Sequence, residues 1–374
     1  MKRLFFLCLC LAFVFCGCGE NPVHPETEET AAETTLPETT EPAAETTEES
    51  TAPTTEETTA QTQPPQPESF RLTFVGDCTL GSPYDHFAYP VAMVLTVGED
   101  YGYPFRNVME WFGTDDASFV NLEGPLCEET NTRASKKHVF RGPPAFVNIL
   151  PQCSVEAVTL ANNHAYDFGQ EGYDSTKALL TEVGVPYVEQ DSSMVFTTES
   201  GLTIGLYAVT YEHLDKDEIV ENISRLASDE AVDVVIFAPH WGIENSYRHN
   251  QTQQELAYAA IDAGAHIVWG SHTHVLQPIE AYGGGIIFYS LANFSFGGNA
   301  YPPDYDTVLV QQEVIREPDG SVRLGELVLV PCSVSGSPYR NDFQPTPYPE
   351  DSREYERVME KVNGTFRGAN LGYE

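Results

Sequence analysis

From Arg71 onward the chain alternates nearly unbroken runs of Val, Ile, Leu and Phe with amphipathic stretches. The apolar runs predict strands at Arg71–Val75, Ala117–Asn121, Val155–Leu160, Thr203–Val209, Val232–Pro239, His266–Trp269, Gly285–Ser290, Thr307–Glu313 and Arg323–Val330. Several show no polar alternation, the pattern of strands buried on both faces. Helical spacing predicts helices at Pro104–Trp111, Ala145–Leu150, Gly172–Val183, Asp217–Ala227, Gln251–Ala263 and Ser352–Val362. Val183-Gly184 and Ala263-Gly264 read as helix ends, because glycine takes the left-handed cap without a Cβ clash. Strands alternating with helices predict an α/β domain of layered sheets. The last two strands follow one another without a helix, which predicts an antiparallel edge.

The polar residues gather where the apolar runs stop: Gly76-Asp77, Asn121-Leu122-Glu123, Asn162-Asn163-His164, Pro239-His240 and Gly270-Ser271-His272-Thr273-His274. In open α/β sheets the site lies at the carboxyl ends of the strands. Five such ends carrying Asp, Glu, Asn and His predict one convergent site. Each has a bland alternative on its own. Asp77 could be a helix cap and Asn162-Asn163 a turn. The coincidence of five ends outweighs them. His86, His138, His213, His249 and His266 have no such company and receive no role.

Two segments depart from the alternation. Residues 1–18 open with Lys2 and Arg3, continue through an apolar run from Leu4 to Cys16, and end in Gly17-Cys18. The run is shorter than the ~20 apolar residues of a membrane span. It resembles a bacterial lipoprotein signal peptide, with Cys18 as the lipidated residue and hence a membrane anchor. Residues 19–69 form a Glu/Thr/Pro-rich tether, which from Glu20 to Ser69 contains no Lys, Arg or aromatic residue. Too little of it is apolar to offset chain entropy, so it is expected to be disordered. The globular domain is expected over 70–345, with a C-terminal extension over 346–374.

Charge narrows the partners. Setting aside Lys2, Arg3 and the tether's 13 Glu leaves 17 basic and 43 acidic residues, a formal charge of −26. Nucleic acid, which needs basic surface, is excluded as a partner. Cys78, Cys127, Cys153 and Cys332 show no Cys-x-x-Cys unit and give no disulfide pairing. Cys78 reads as a small buried residue.

The residue types at the strand ends suit a metal. In an extended segment His272 and His274 project to the same side, and Asp77 and Glu123 offer hard oxygens. Asn163 offers a carbonyl oxygen and His240 a third imidazole. This mixed N/O set suits one or two divalent ions of Mn, Zn or Fe. Gly76-Asp77, Asn121-Leu122-Glu123, Asn162-Asn163-His164-x-x-Asp167-x-Gly169, His240-Trp241-Gly242-x-Glu244, Gly270-x-His272-x-His274 and Tyr289-Ser290-Leu291-x-Asn293-Phe294 together resemble the ordered signature of the CapA family of poly-γ-glutamate capsule biosynthesis proteins. That family is similar to calcineurin-like metallophosphoesterases. The resemblance implies a sandwich of two mixed β-sheets flanked by helices.

It also implies roles. Asp77 and His274 would hold a first metal, Glu123 would bridge, and Asn163, His240 and His272 would hold a second. His164 would act as general acid, oriented by Asp167, with Glu244 and Asn293 supporting the ligands. Thr79 stands where calcineurin-like enzymes carry a His, and Glu123 replaces the usual Asp, so the first metal is short of one ligand. The expected function is that of an extracytoplasmic, lipid-anchored protein of capsule biosynthesis. As a metal-dependent hydrolase it would act on a phosphoester or an envelope-polymer linkage. The alternative is a non-catalytic polymer-binding or export component. Expected partners are a cell-envelope polymer such as poly-γ-glutamate, the membrane, and a capsule synthase complex.

Overall fold

The run that begins at Arg71 grows into the longest parallel-paired strand, Glu68–Thr79, and sits inside the first of two large sheets. The computed structural model describes residues 65–371 apart from 87, 90 and 129–131. Cys18 and the tether through residue 64 lie outside the described residues. On one side of Glu68–Thr79 run the parallel strands Ala117–Leu122, Ala157–Thr159 and Tyr187–Val188. On the other side lie the antiparallel strands Asp306–Arg316, Val322–Ser333 and Thr346–Pro347. The second sheet runs in the order Ile279–Tyr282, Gly285–Phe288, Ile267–Trp269, Val234–His240, Thr203–Thr210 and Ser192–Thr197. Its four inner strands are parallel and its two edges antiparallel.

Three apolar layers result, and each explains a sequence pattern. Leu72, Phe74, Phe119, Ile204, Leu206, Ile236, Trp269 and Phe288 fill the space between the sheets. Phe74 stacks on Phe119 with centroids 4.9 Å apart, a geometry worth about 0.5–1.5 kcal/mol beyond area burial. Trp269 Nε1 donates to Val75 O across the sandwich at 2.8 Å. Val75, Val120 and Val158 turn outward under Phe105, Phe146 and Leu180. Val209, Val235 and Phe237 turn outward under helices Lys216–Ala227 and Gln251–Asp262. Both faces of both sheets are covered, which is why the strands read as continuous apolar runs. The architecture is the expected sandwich of two mixed sheets flanked by helices.

The predicted helices at Pro104–Trp111 and Ala145–Leu150 are corrected in kind. Each begins as a 3₁₀ helix, Tyr103–Val108 and Pro144–Asn148, and ends in one α turn. Pro104 stands at the second position of the first segment, and Pro143 and Pro144 open the second. Helix Gly169–Val183 ends on Gly184 at φ 74°, as predicted. The last helix, Arg353–Val362, is capped by Ser352 and sets Val358 and Val362 into the inter-sheet core. Its Arg357 and Lys361 bind the buried Asp306. All four domain cysteines are buried and free.

Candidate metal centre

The parallel strands of both sheets end at one place. Asp77 closes on Asn121 in one neighbouring strand and on Asn293 in the other. Gly76 is required there, because a Cβ would lie 1.9 Å from the Ala292 carbonyl oxygen. Gly270 is required likewise, since its Cβ would meet Tyr289 O at 2.2 Å. Glu123 follows Ala117–Leu122, Asn163 and His164 follow Ala157–Thr159, and His240 is the last residue of Val234–His240.

Two donor groups share Glu123. Asp77, Glu123 and His274 each offer a ligand atom within 4.8 Å of one another. His240 Nε2 lies 3.0 Å from Asn163 Oδ1, 3.1 Å from His272 Nδ1 and 3.9 Å from Glu123 Oε1. Glu123 Oε1 is also 4.0 Å from His274 Nε2. Supporting contacts choose which nitrogens face inward. His240 Nδ1 meets Ser271 Oγ at 2.8 Å, leaving its Nε2 inward; His274 Nδ1 meets Asn293 Oδ1 at 2.8 Å and lies 3.5 Å from Asp77 Oδ2, while its Nε2 faces Glu123. Asn121 Nδ2 donates to Asp77 Oδ1 at 2.8 Å.

His164 stands beside this group. Its Nδ1 meets Asp167 Oδ2 at 2.8 Å and its ring packs on Phe140. Lys136 Nζ pairs with Asp167 Oδ1 at 2.6 Å and donates to Asn163 O at 2.7 Å. Lys136 was not singled out from the sequence. The signal available was a pair of lysines, Lys136-Lys137, in an acidic chain. Asn162 also acquires a definite part: it donates to Asn121 Oδ1 and Leu122 O, and its own Oδ1 receives His164 N. Glu244 is exposed, and its influence on Asp77 and Glu123 is through charge alone.

One expectation fails in its geometry. The segment holding His272 and His274 is not extended: their φ angles are 95° and 57°. Both rings still reach the cluster, because the chain turns there while His272 N donates to Asp77 Oδ2 at 3.2 Å. Ala292, against Gly76, is a third left-handed non-glycine residue in this corner. Such backbone costs of order 1–3 kcal/mol each and persists where the surroundings over-determine it.

Burial pushes the Glu123 carboxyl well above the usual carboxylate range, and Asp77, Asp167 and Glu244 add to the effect. Burial raises Asp77 too, against the opposing pull of His274 and Asn121. Burial and His274 hold His272 down to about 3, and burial with His272 holds His240 well below the ordinary imidazole value. Burial also lowers His164, although Asp167 opposes this. The cluster therefore gathers two imidazoles held neutral, His240 and His272, and two carboxyl groups that resist ionising.

The residues fit a divalent ion. The decisive sign is Glu123: fully buried, with neither carboxylate oxygen hydrogen-bonded. A buried polar group without a partner costs about 1–3 kcal/mol, more if charged. A cation between Glu123, His240 and His274 would relieve it. Thr79 Oγ, two residues after Asp77, is also buried and unbonded.

Residues 71–298 match the model of the bacterial capsule synthesis protein family PGA_cap. The chain is 28% identical over 313 residues to the PGA biosynthesis protein CapA of Bacillus subtilis (strain 168), covering 78% of this chain and 77% of the relative. It is 28% identical over 270 residues to the capsule biosynthesis protein CapA of Bacillus anthracis, covering 65% of this chain and 64% of the relative. Among solved structures, the NAD nucleotidase of Haemophilus influenzae aligns with 10% identity and a TM-score of 0.39, over 80% of this chain and 63% of the other.

Proposed function

This chain belongs to the bacterial capsule synthesis protein family PGA_cap, and from that premise we propose that it is a metal-dependent hydrolase of the cell envelope. Its substrate would be a phosphoester or an envelope-polymer linkage, poly-γ-glutamate being the polymer that relatives' names point to. The unpartnered, fully buried Glu123 carboxylate carries this reading. That carboxylate supports a bound metal, and the His164–Asp167 dyad beside it supports turnover over binding alone.

Asp77, Glu123 and His274 would hold one divalent ion, and Asn163, His240 and His272, with Glu123 shared, a second. The ions would supply Lewis acidity toward an anionic oxygen of the substrate. The chain's own residues do the rest. Asp167 accepts from His164 Nδ1 and fixes the ring, leaving Nε2 to move a proton. An anionic group entering beside His164 favours its protonated form, which then donates to the leaving oxygen. Lys136 offsets the Asp167 charge, so Asp167 orients the imidazole without holding its proton too tightly. Asn121 and His272 N keep Asp77 aimed inward, and Asn293 does the same for His274.

Adding Mn²⁺ or Zn²⁺ to chelator-stripped protein should raise its melting temperature, and His272→Ala should abolish most of the rise. His164→Ala should keep the rise but lower turnover of a generic phosphoester by ~10²–10⁴-fold. No metal-dependent rise in the wild type would reject the reading. The unbonded Thr79 favours one alternative outcome: a centre that binds metal and polymer but turns nothing over.

We further propose an extracytoplasmic location, with Cys18 as lipid anchor, residues 19–67 as a spacer that ends where the strand Glu68–Thr79 takes in the last two residues expected for the tether, and contact with the capsule machinery. Cys18→Ala should release the protein from membranes; unchanged retention and unchanged mass would reject the anchor.

A further inference from the structure

The domain is strongly acidic, yet one cavity beside the metal centre has the opposite sign. It measures about 550 Å³, and Arg133, Lys136, Lys137 and His138 line it together with Tyr84 and Tyr89. Three of the domain's 17 basic residues thus fall within four positions of one another. Among the described lining residues Asp85 is the one acid. It meets Arg133 at 3.3 Å, and both side chains are well exposed, so the pair is weak and readily exchanged for another anion. The Arg133 guanidinium lies 4.6 Å over the Tyr84 ring, which holds its planar fork in place.

The cavity and the centre share a wall. Lys136 reaches from the cavity to Asp167 Oδ1 and Asn163 O, directly behind the His164 dyad. Val139 lines the cavity, and the next residue, Phe140, packs on His164 and on Phe296. Phe296 in turn contacts His274. The cavity therefore lies against the same wall that carries the proton-moving group and abuts the metal ligands.

We propose that this cavity is a subsite for an acidic polymer chain bearing spaced carboxylates, which it leads toward the metal centre. The inference rests on the hydrolase reading for its purpose, though not for its test. The chemistry selects the ligand class. The volume exceeds what a single small anion fills and suits a segment of several units. The cations are spread along residues 133–137 rather than focused on one point, and side chains supply them, not a nest of backbone amides of the kind that cradles phosphate. Singly charged groups at intervals match that spread. Tyr84 and Tyr89 offer ring faces to the aliphatic links between the charges. In a domain of formal charge −26 such a polymer is repelled at long range, so a local reversal of sign decides where it can land.

The test is binding of a fluorescein-labelled γ-linked glutamate decamer to the full chain, read by polarisation at several salt concentrations. Arg133→Ala with Lys137→Ala should weaken binding about tenfold, the loss of two exposed charge pairs, and should flatten its salt dependence. The charge-matched pair Lys216→Ala with Arg225→Ala, on a helix of the other sheet, should leave it within about twofold. An uncharged γ-linked glutamine decamer should bind far more weakly. The proposal is overturned if the cavity variant binds like the wild type while its melting temperature is unchanged. It is overturned equally if the distant pair weakens binding as much, or if an inorganic polyphosphate chain of similar length binds better than the glutamate decamer. Because no turnover is read, the decamer result separates from the hydrolase reading: binding without any metal-dependent rise in melting temperature would keep the subsite and reject the hydrolase.

Discussion

Asp306 and Glu123 are both completely buried carboxylates at strand ends, and they are treated in opposite ways. Asp306 meets Arg357 Nε and Nη2 at 2.6 and 2.7 Å, Lys361 Nζ at 2.7 Å and the Tyr348 hydroxyl at 3.1 Å. Burial alone would raise its carboxyl; Arg357 and Lys361 more than offset that and hold it below the usual range. Glu123 has no bonded partner, and its carboxyl is pushed up. One carboxylate is satisfied by the fold, the other reserved for something the fold does not provide. A buried acid alone says little about function; a buried acid left unsatisfied says a great deal.

The contrast can be broken most forcefully at the satisfied end. Asp306→Ala breaks the buried pairs with Arg357 and Lys361, leaving Lys361 with Asp304 as its one acidic partner, and should cost ~3–5 kcal/mol in urea denaturation, with or without metal. A loss under ~1 kcal/mol would mean the network is cosmetic. At the other end, Glu123→Gln should leave the stripped protein at least as stable as the wild type. It should lose the metal stabilisation, ~2.7 kcal/mol at a hundredfold excess of metal over Kd. Destabilisation of the stripped protein by this change would contradict the idea of an unsatisfied group. A smaller effect is expected at Asn293→Ala, where the freed His274 ring should lower metal affinity ~10–100-fold in a calorimetric titration.

The smallest effect is in pH. Asp306 contributes stability above its unfolded value of 3.8, lost as pH falls through its lower native value. Glu123 has the reverse sign. In stripped protein the native state keeps a proton that the unfolded chain releases above 4.5, so stability falls as pH rises from there. Between pH ~5 and ~8 Glu123→Gln should flatten that fall. Part of it should persist, because burial also raises Glu156 to about 7 and Asp115 to about 6. An unchanged slope in the variant would mean Glu123 is ionised in the stripped state.

Much of this was legible in the sequence because burial on both faces leaves an unmistakable run, and the residue that ends each run is where chemistry can begin. Asp77, Asn163, His240 and His274 were found that way. What was hidden depends on partners far along the chain. The turn that aims His272 is tied to Asp77, 195 residues away. Lys136 acquires meaning only when Asp167 folds back beneath it. The edge strand Ser192–Thr197 escaped notice because it is half-exposed and carries no clean period. The short helices were misjudged where prolines begin the turn.

The pairing of Glu68 with Arg316 sets the order in which the molecule can come together. The domain's first strand finds Ala117–Leu122 on one flank early, but its other flank waits for a partner 248 residues later, and the last helix then locks that partner through Asp306. Pairing strands so far apart in the chain raises the contact order and slows folding. A nascent chain cut short of Arg316 would expose the flank of Glu68–Thr79 as an open template for aggregation. One flank of the first sheet is covered only when nearly all of the chain is present, so a late frameshift should still be damaging.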